Sequence, residues 1–175
     1  MTRVPETPAP ALAPVRWEPR AYPGDLAQSA RVRADLIADL DGFGLDLIDD
    51  VTLCAAELFA NAARHTASGE PGGDVLRFLG LPTPDTLRLT VVDSGGGRSS
   101  PAIPFQRSAG EWATAEGQRG LLLVDALSTA WGRYSVVPGA DLGIGVWVQF
   151  PGLRASAGSS RFSCATVPFR RRVTP

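Results

Sequence analysis

Apolar residues recur at three- and four-residue steps in three segments of the chain, and this spacing predicts three helices. The first is expected at about residues 24–40, where Asp25 stands near the start and Gly42 follows the end. The second is expected from an Asp46 cap to about Thr66, and the third over Arg119–Leu127. The rows behind the first two predictions are Leu26, Ala30, Arg33, Ile37 and Leu40, and Leu47, Val51, Cys54, Leu58 and Ala62.

Apolar, β-branched runs between turn-forming residues predict five strands. They are Val15–Trp17, Val75–Leu81, Thr86–Val92, Trp131–Val137 and Gly145–Phe150. The second and third strands, and the fourth and fifth, lie close enough in sequence to form hairpins. This order of elements predicts an α/β (α+β) two-layer sandwich, in which three helices cover one face of a mixed, mostly antiparallel sheet.

Composition divides the chain into three parts. Residues 1–14 contain four prolines and are expected to form a flexible leader, and residues 15–150 carry the periodic segments of a single domain. Residues 151–175 contain five arginines and no acidic residue, so we expect a basic, flexible tail.

Charge and hydropathy exclude several classes of function. Residues 1–150 hold 12 arginines and all 18 acidic residues, a net charge of −6, which argues against a nucleic-acid-binding surface. All 17 basic residues are arginine, so mechanisms that need a lysine, such as Schiff-base or P-loop chemistry, are excluded. No apolar run approaches the length of a membrane span, and a cytoplasmic protein without a membrane partner is the simplest expectation.

Polar side chains on the second predicted helix form the first candidate site. Glu57, Asn61 and His65 follow one another at four-residue steps, so they share one helix face. The amide oxygen of Asn61 suits a divalent cation, and the Glu57 carboxylate can polarise an attacking group. A solvated helix face is the alternative interpretation of the same row.

Two glycine-rich segments carry the rest of the candidate chemistry. Asp93 follows an apolar strand and precedes Ser-Gly-Gly-Gly, where its carboxylate could accept the amino group of adenine. Glu116–Leu121 places glycines at the start of the third helix, whose first N–H groups could bind a phosphate. Taken singly, each segment is also compatible with an ordinary turn.

Taken together and in this order, the three segments resemble the N, G1 and G2 boxes of the GHKL ATPase superfamily. That superfamily includes the ATPase domains of gyrase, heat-shock chaperones and histidine kinases. The resemblance extends in particular to the bacterial, especially actinobacterial, anti-sigma-factor serine/threonine kinases. It covers about residues 15–150 and depends on Ala56–Thr66, Val91–Gly97, Arg119–Leu127 and Gly145–Val148.

The resemblance implies the GHKL fold, with ATP and Mg²⁺ as cofactors. It assigns Asn61 to the metal and Glu57 to activation of the attacking hydroxyl or water. It assigns Asp93 to the adenine amino group and residues 98–118 to a lid over the nucleotide. The further nucleotide-binding residues that it implies are His65, Gly95, Gly97, Gly117, Arg119, Gly120 and Leu121.

The resemblance also implies a function and partners. The chain would transfer the γ-phosphate of ATP to a serine of an anti-sigma-factor antagonist, regulate a sigma factor and form a homodimer. Gln118 stands where such kinases commonly have glycine, and Ile144 where many have lysine. These departures keep open a second function, an ATP-binding module that acts by sequestering a partner. A plain ATP hydrolase is a third.

Overall fold

The computed structural model describes residues 15–96 and 119–151, with the backbone alone at residue 119. The expected leader, lid and most of the tail lie outside these residues. The strands are β1 (Val15–Arg16), β2 (Arg20–Pro23), β3 (Asp74–Thr83), β4 (Thr86–Val92), β5 (Ala130–Ser135) and β6 (Ile144–Pro151). The helices are α1 (Ser29–Asp39), α2 (Leu45–His65) and α3 (Arg119–Leu127), with short 3-10 turns at Leu26–Gln28 and Ala67–Gly69.

The described strands form one sheet in the order β1-β3-β4-β6-β5, and β2 pairs with the same strand β3 as β1. Every described pair is antiparallel. The predicted hairpin of β3 and β4 is present, and β6 lies between β4 and β5. The sheet therefore brings the end of β4 next to the start of β6, where Val92 pairs with Gly145.

Three helices and the sheet share one apolar core, which confirms the predicted two-layer sandwich. Alternate residues of the central strands are buried, as in Leu87, Leu89 and Val91 of β4. The helices contribute the buried residues Val32, Leu36, Val51, Cys54, Leu58, Phe59, Leu121 and Val124 to the same core. In the described part of the chain, no helix combines the length and hydropathy needed to cross a membrane.

The start of α2 differs from the prediction. The N-cap is Gly44, whose extended backbone begins the helix and whose carbonyl accepts the Ile48 N–H at 3.1 Å. The prediction of an Asp46 cap is wrong, because the helix has already begun at Leu45. Asp46 lies in the first turn, where a negative charge is still favourable near the positive end of the helix dipole.

Strand β2 and the buried cation opposite it were absent from the prediction. Arg77 of β3 is only 2% exposed, and its guanidinium forms an ion pair with Asp39 at the end of α1. Arg20 of β2 binds the same carboxylate at 2.8 Å. Burial opposes ionisation of Asp39, but the two arginines outweigh it and hold the pKa of that carboxyl below its usual value. This cluster fixes α1 against the edge of the sheet.

Candidate nucleotide-binding site

The row that was predicted on the second helix is present on α2. Glu57 and Asn61 are half-buried and one turn apart, and His65 is exposed at the last residue of the helix. Among the described residues, none forms a hydrogen bond with the side chain of Asn61. Glu57 and His65 are eight positions apart, which is about 12 Å along a helix. The row therefore runs along just over two turns of α2.

Glu57 lies directly against the start of α3. Gly120 is buried, and a methyl group at this position would overlap the Glu57 carboxylate and lie 3.2 Å from its Cβ and Cδ atoms. Gly120 leaves room for this carboxylate, and because its backbone is helical, a larger residue there would displace the Glu57 side chain and leave the backbone unstrained. Leu121 is buried in the core, and Arg119 is the first residue of α3. The fold therefore joins the first and third predicted segments at one point.

Asp93 presents one fixed and one free carboxylate oxygen. Its Oδ1 accepts the backbone N–H groups of Gly95 and Ile144, both at 2.9 Å. Within the described residues, nothing donates a hydrogen bond to Oδ2. Burial raises the pKa of Asp93 above its usual value, although the two N–H groups act in the opposite direction. An oriented carboxylate with one open acceptor fits a ligand that offers a hydrogen-bond donor.

The loop after Asp93 is tied to the end of α2. Gly95 has a positive φ of 74°, and a side chain there would lie 2.5 Å from the Asp141 carbonyl oxygen. The carbonyl oxygen of Gly95 accepts the Ala67 N–H at 2.7 Å. Asp93 is therefore held at the same end of α2 as His65. The other two predicted glycines, Gly97 and Gly117, lie outside the described residues.

Sequence reasoning missed a group of residues that we call the loop anchor: Ser68, Asp74 and Ser94. Ser68 is fully buried in the 3-10 turn after α2, and its Oγ accepts the Ser94 N–H at 2.9 Å. The same hydroxyl donates to the Asp74 carbonyl oxygen at 2.8 Å, and Ser94 Oγ donates to that oxygen at 2.9 Å. No motif marks these residues, because Ser and Asp in a glycine-rich stretch indicate only a turn.

Comparison with family models identifies the family of this chain. The family model described as "Histidine kinase-like ATPase domain" matches residues 20–142. The chain belongs to the histidine kinase-like ATPase family. This places it in the GHKL superfamily, as its boxes indicated, and the match extends from β2 through the residues that precede β6.

Other comparisons are more distant. A solved structure titled "Mycobacterial sensor histidine kinase MprB" resembles this ATPase domain with 22% sequence identity and a TM-score of 0.42. The similarity covers 77% of this chain and 98% of that chain. A search of curated proteins finds no match.

The residues of this ATPase domain fit an adenine nucleotide and a magnesium ion. Among the described residues, nothing donates to Asp93 Oδ2 or bonds the amide of Asn61, so the first suits the adenine amino group and the second offers a carbonyl oxygen to Mg²⁺. The described residues contain no group of three or more His, Cys, Asp or Glu that could hold a metal ion. Mg²⁺ needs no such group when one or two side chains and substrate phosphates supply its ligands.

Proposed function

We propose that this ATPase domain is a cytoplasmic serine/threonine protein kinase of the anti-sigma-factor type. It would transfer the γ-phosphate of ATP to a serine of an anti-sigma-factor antagonist and thereby regulate a sigma factor. One observation carries the proposal. Glu57 is held against the start of α3, on the same helix face as Asn61, and Asp93 is fixed at the far end of that helix.

Each side chain has one task in the proposed reaction. Asp93 accepts a hydrogen bond from the adenine amino group, which orients the base. Asn61 would hold Mg²⁺, which would supply positive charge to neutralise the phosphates. Glu57 accepts the proton of the substrate serine hydroxyl as its oxygen bonds to the γ-phosphorus. The bond from that phosphorus to the bridging oxygen breaks, and ADP leaves with the electron pair.

The protein partners follow from the resemblance of the boxes. Ala56–Thr66 and Arg119–Leu127 resemble the corresponding segments of anti-sigma-factor kinases, which bind an antagonist and a sigma factor. The same resemblance supports a homodimer. The antagonist's serine must reach Glu57, and the start of α3 is the described element in contact with that side chain.

Phosphotransfer to a purified antagonist tests the proposal. We expect labelled phosphate from Mg-ATP to appear on a serine of one antagonist protein encoded in the same genome. Glu57→Gln should reduce this transfer by at least about 100-fold, the usual range for loss of a general base. Glu70→Gln makes the same chemical change at an exposed residue beyond α2 and should leave transfer unchanged. Absence of transfer to every candidate antagonist would contradict the kinase proposal.

The second function, sequestration of a partner without catalysis, is favoured by two departures from the kinase pattern. Gln118 replaces a glycine, and Ile144 replaces a lysine that many relatives carry. Ile144 donates its backbone N–H to Asp93, and this hydrogen bond does not depend on which side chain stands at that position. Titration with Mg-ATP, combined with the transfer assay, separates the two functions. Binding without transfer, and a partner complex that Glu57→Gln leaves intact, would identify the sequestering module.

A further inference from the structure

We infer that Ser68 is a positioning residue for base recognition, which it controls through the loop that carries Asp93. This inference rests on the proposed function, because it concerns the nucleotide that Asp93 selects. Ser68 was not a predicted site residue, and it lies 25 residues before Asp93 in the sequence. Its hydroxyl nevertheless accepts the N–H of Ser94, which is the next residue after Asp93.

The Ser68 hydroxyl has two acceptors within reach, the Asp74 carbonyl oxygen at 2.8 Å and Ser94 Oγ at 3.4 Å, and the shorter contact is the stronger one. When the hydroxyl donates to the Asp74 carbonyl oxygen, a lone pair remains directed at the Ser94 N–H. Ser68 is fully buried, and its own N–H donates to Thr66 Oγ1 at 3.2 Å. Thr66 is the C-cap of α2, so Ser68 links the end of this helix to the loop that carries Asp93.

A second contact acts on the same loop. The Ala67 N–H donates to the Gly95 carbonyl oxygen at 2.7 Å, so the 3-10 turn holds the chain on both sides of the Ser94–Gly95 peptide bond. Gly95 also donates its N–H to Asp93 Oδ1. Displacement of Ser94 and Gly95 would therefore change the direction in which the open oxygen of Asp93 points.

The expected consequence is specific to the base. In the proposed function Asp93 accepts a hydrogen bond from the adenine amino group. Asn61 and Glu57 lie up to three helical turns from the end of α2 near which Asp93 is held. Inosine triphosphate has the same sugar and phosphates as ATP, but it carries a carbonyl oxygen where adenine has the amino group. A loosened Asp93 loop should weaken ATP binding and leave inosine triphosphate binding nearly unchanged.

Calorimetric titration of the full chain with Mg-ATP and Mg-inosine triphosphate tests this inference. We expect Ser68→Ala to weaken ATP binding about three- to tenfold, the value of a typical hydrogen bond, and to reduce the preference for ATP by the same factor. Ser128→Ala is the matched control. Its hydroxyl is also buried, but it has no hydrogen-bond partner in the described part of the chain. This control should leave the preference unchanged.

Hydrogen exchange gives a second measurement. The Ser94 amide should exchange faster in Ser68→Ala, with smaller changes in the strands of the sheet. If Ser68→Ala does not fold, Ser94→Ala removes the other hydroxyl that binds the Asp74 carbonyl oxygen, at an exposed position. It keeps the Ser94 N–H that donates to Ser68, so the preference for ATP should fall in the same direction by a smaller factor. Equal weakening of both nucleotides, or an unchanged preference, would overturn the inference. Failure of the unmodified chain to bind ATP would overturn the proposed function as well.

Discussion

Replacement of Asp93 by asparagine separates the structural role of this residue from its role in binding. Asparagine has the same shape, and its carbonyl oxygen can accept the N–H groups of Gly95 and Ile144 that now meet Oδ1 at 2.9 Å. The amide nitrogen then takes the place of Oδ2, which has no partner among the described residues. The local hydrogen bonds of the fold are therefore retained, and only the open position changes from acceptor to donor.

The size of the binding effect follows from the bond that is lost. A hydrogen bond to a charged group contributes about 1.5–3 kcal/mol, which corresponds to about a 10- to 150-fold weaker affinity for ATP. Inosine triphosphate offers an acceptor at the same position, so its affinity for Asp93→Asn should rise relative to ATP. Titration calorimetry with both nucleotides measures the change in preference.

The same substitution should increase stability at neutral pH. Burial raises the pKa of Asp93 in the folded protein, so ionisation of this carboxyl disfavours the folded state relative to the unfolded one. Wild-type stability then falls as pH rises from the ordinary value of 3.8 through the raised folded value. Asp93→Asn has no such loss, so its melting temperature should exceed that of the wild type at pH 7, and the difference should shrink below pH 4.

Two results would refute this reasoning. A folded Asp93→Asn protein that binds ATP as tightly as the wild type would show that Asp93 does not address the base. A large loss of stability at neutral pH would show that the charge of Asp93, and not the shape of its hydrogen bonds, holds the loop.

Three further predictions concern the rest of the molecule. Gly120→Ala should push the Glu57 carboxylate aside and slow phosphotransfer at least about tenfold. Its free energy of unfolding, measured by chemical denaturation, should change by no more than about 1 kcal/mol. Unaltered transfer would contradict the contact between Glu57 and Gly120. Asn61→Ala should remove the Mg²⁺ dependence of ATP affinity, measured by titration with and without EDTA, and a retained dependence would exclude Asn61 as the metal ligand. Asp39→Ala should lower the free energy of unfolding by about 3–5 kcal/mol, because it leaves the buried Arg77 without its partner. Arg77→Met should lower it by less, and equal losses would argue against an effect of buried charge. Since the pKa of Asp39 is lowered, its contribution is present above the unfolded value and should disappear as pH falls through the folded value.

Elements with a long local pattern were the most predictable from the sequence. The periodic row of α2 predicted a helix to about Thr66, and the structure ends it at His65. In α1 the helix was predicted, but not the face that it buries. Ile37, in the predicted row, is 54% exposed, whereas Leu36 is fully buried. The buried row Val32, Leu36 and Leu40 also has helical spacing, so periodicity allowed two faces, and packing against α2 decides between them.

Elements that depend on distant partners could not be predicted. Strand β2 has four residues, and its hydrogen bonds come from β3, which is more than 50 residues away in sequence. On β3 the apolar Phe78 is 37% exposed and the charged Arg77 is buried, because Asp39 of α1 supplies a counter-charge. Hydropathy alternation alone would assign this charged residue to the solvent-facing side.

The candidate site shows the same division. Helical spacing placed Glu57 and Asn61 on one face, and the position of Asp93 at a strand end was visible from the apolar run before it. The contact of Glu57 with Gly120, by contrast, depends on how α3 packs on α2. The loop anchor joins Ser68 to Ser94, and no short-range rule connects residues at that separation.

A crystal structure with Mg²⁺ and a non-hydrolysable ATP analogue tests the central claim most directly. We expect the adenine amino group within hydrogen-bond distance of Asp93 Oδ2, the metal on the amide oxygen of Asn61, and the terminal phosphate facing Glu57 at the start of α3. An analogue bound elsewhere, or one whose base lies away from Asp93, would contradict the account.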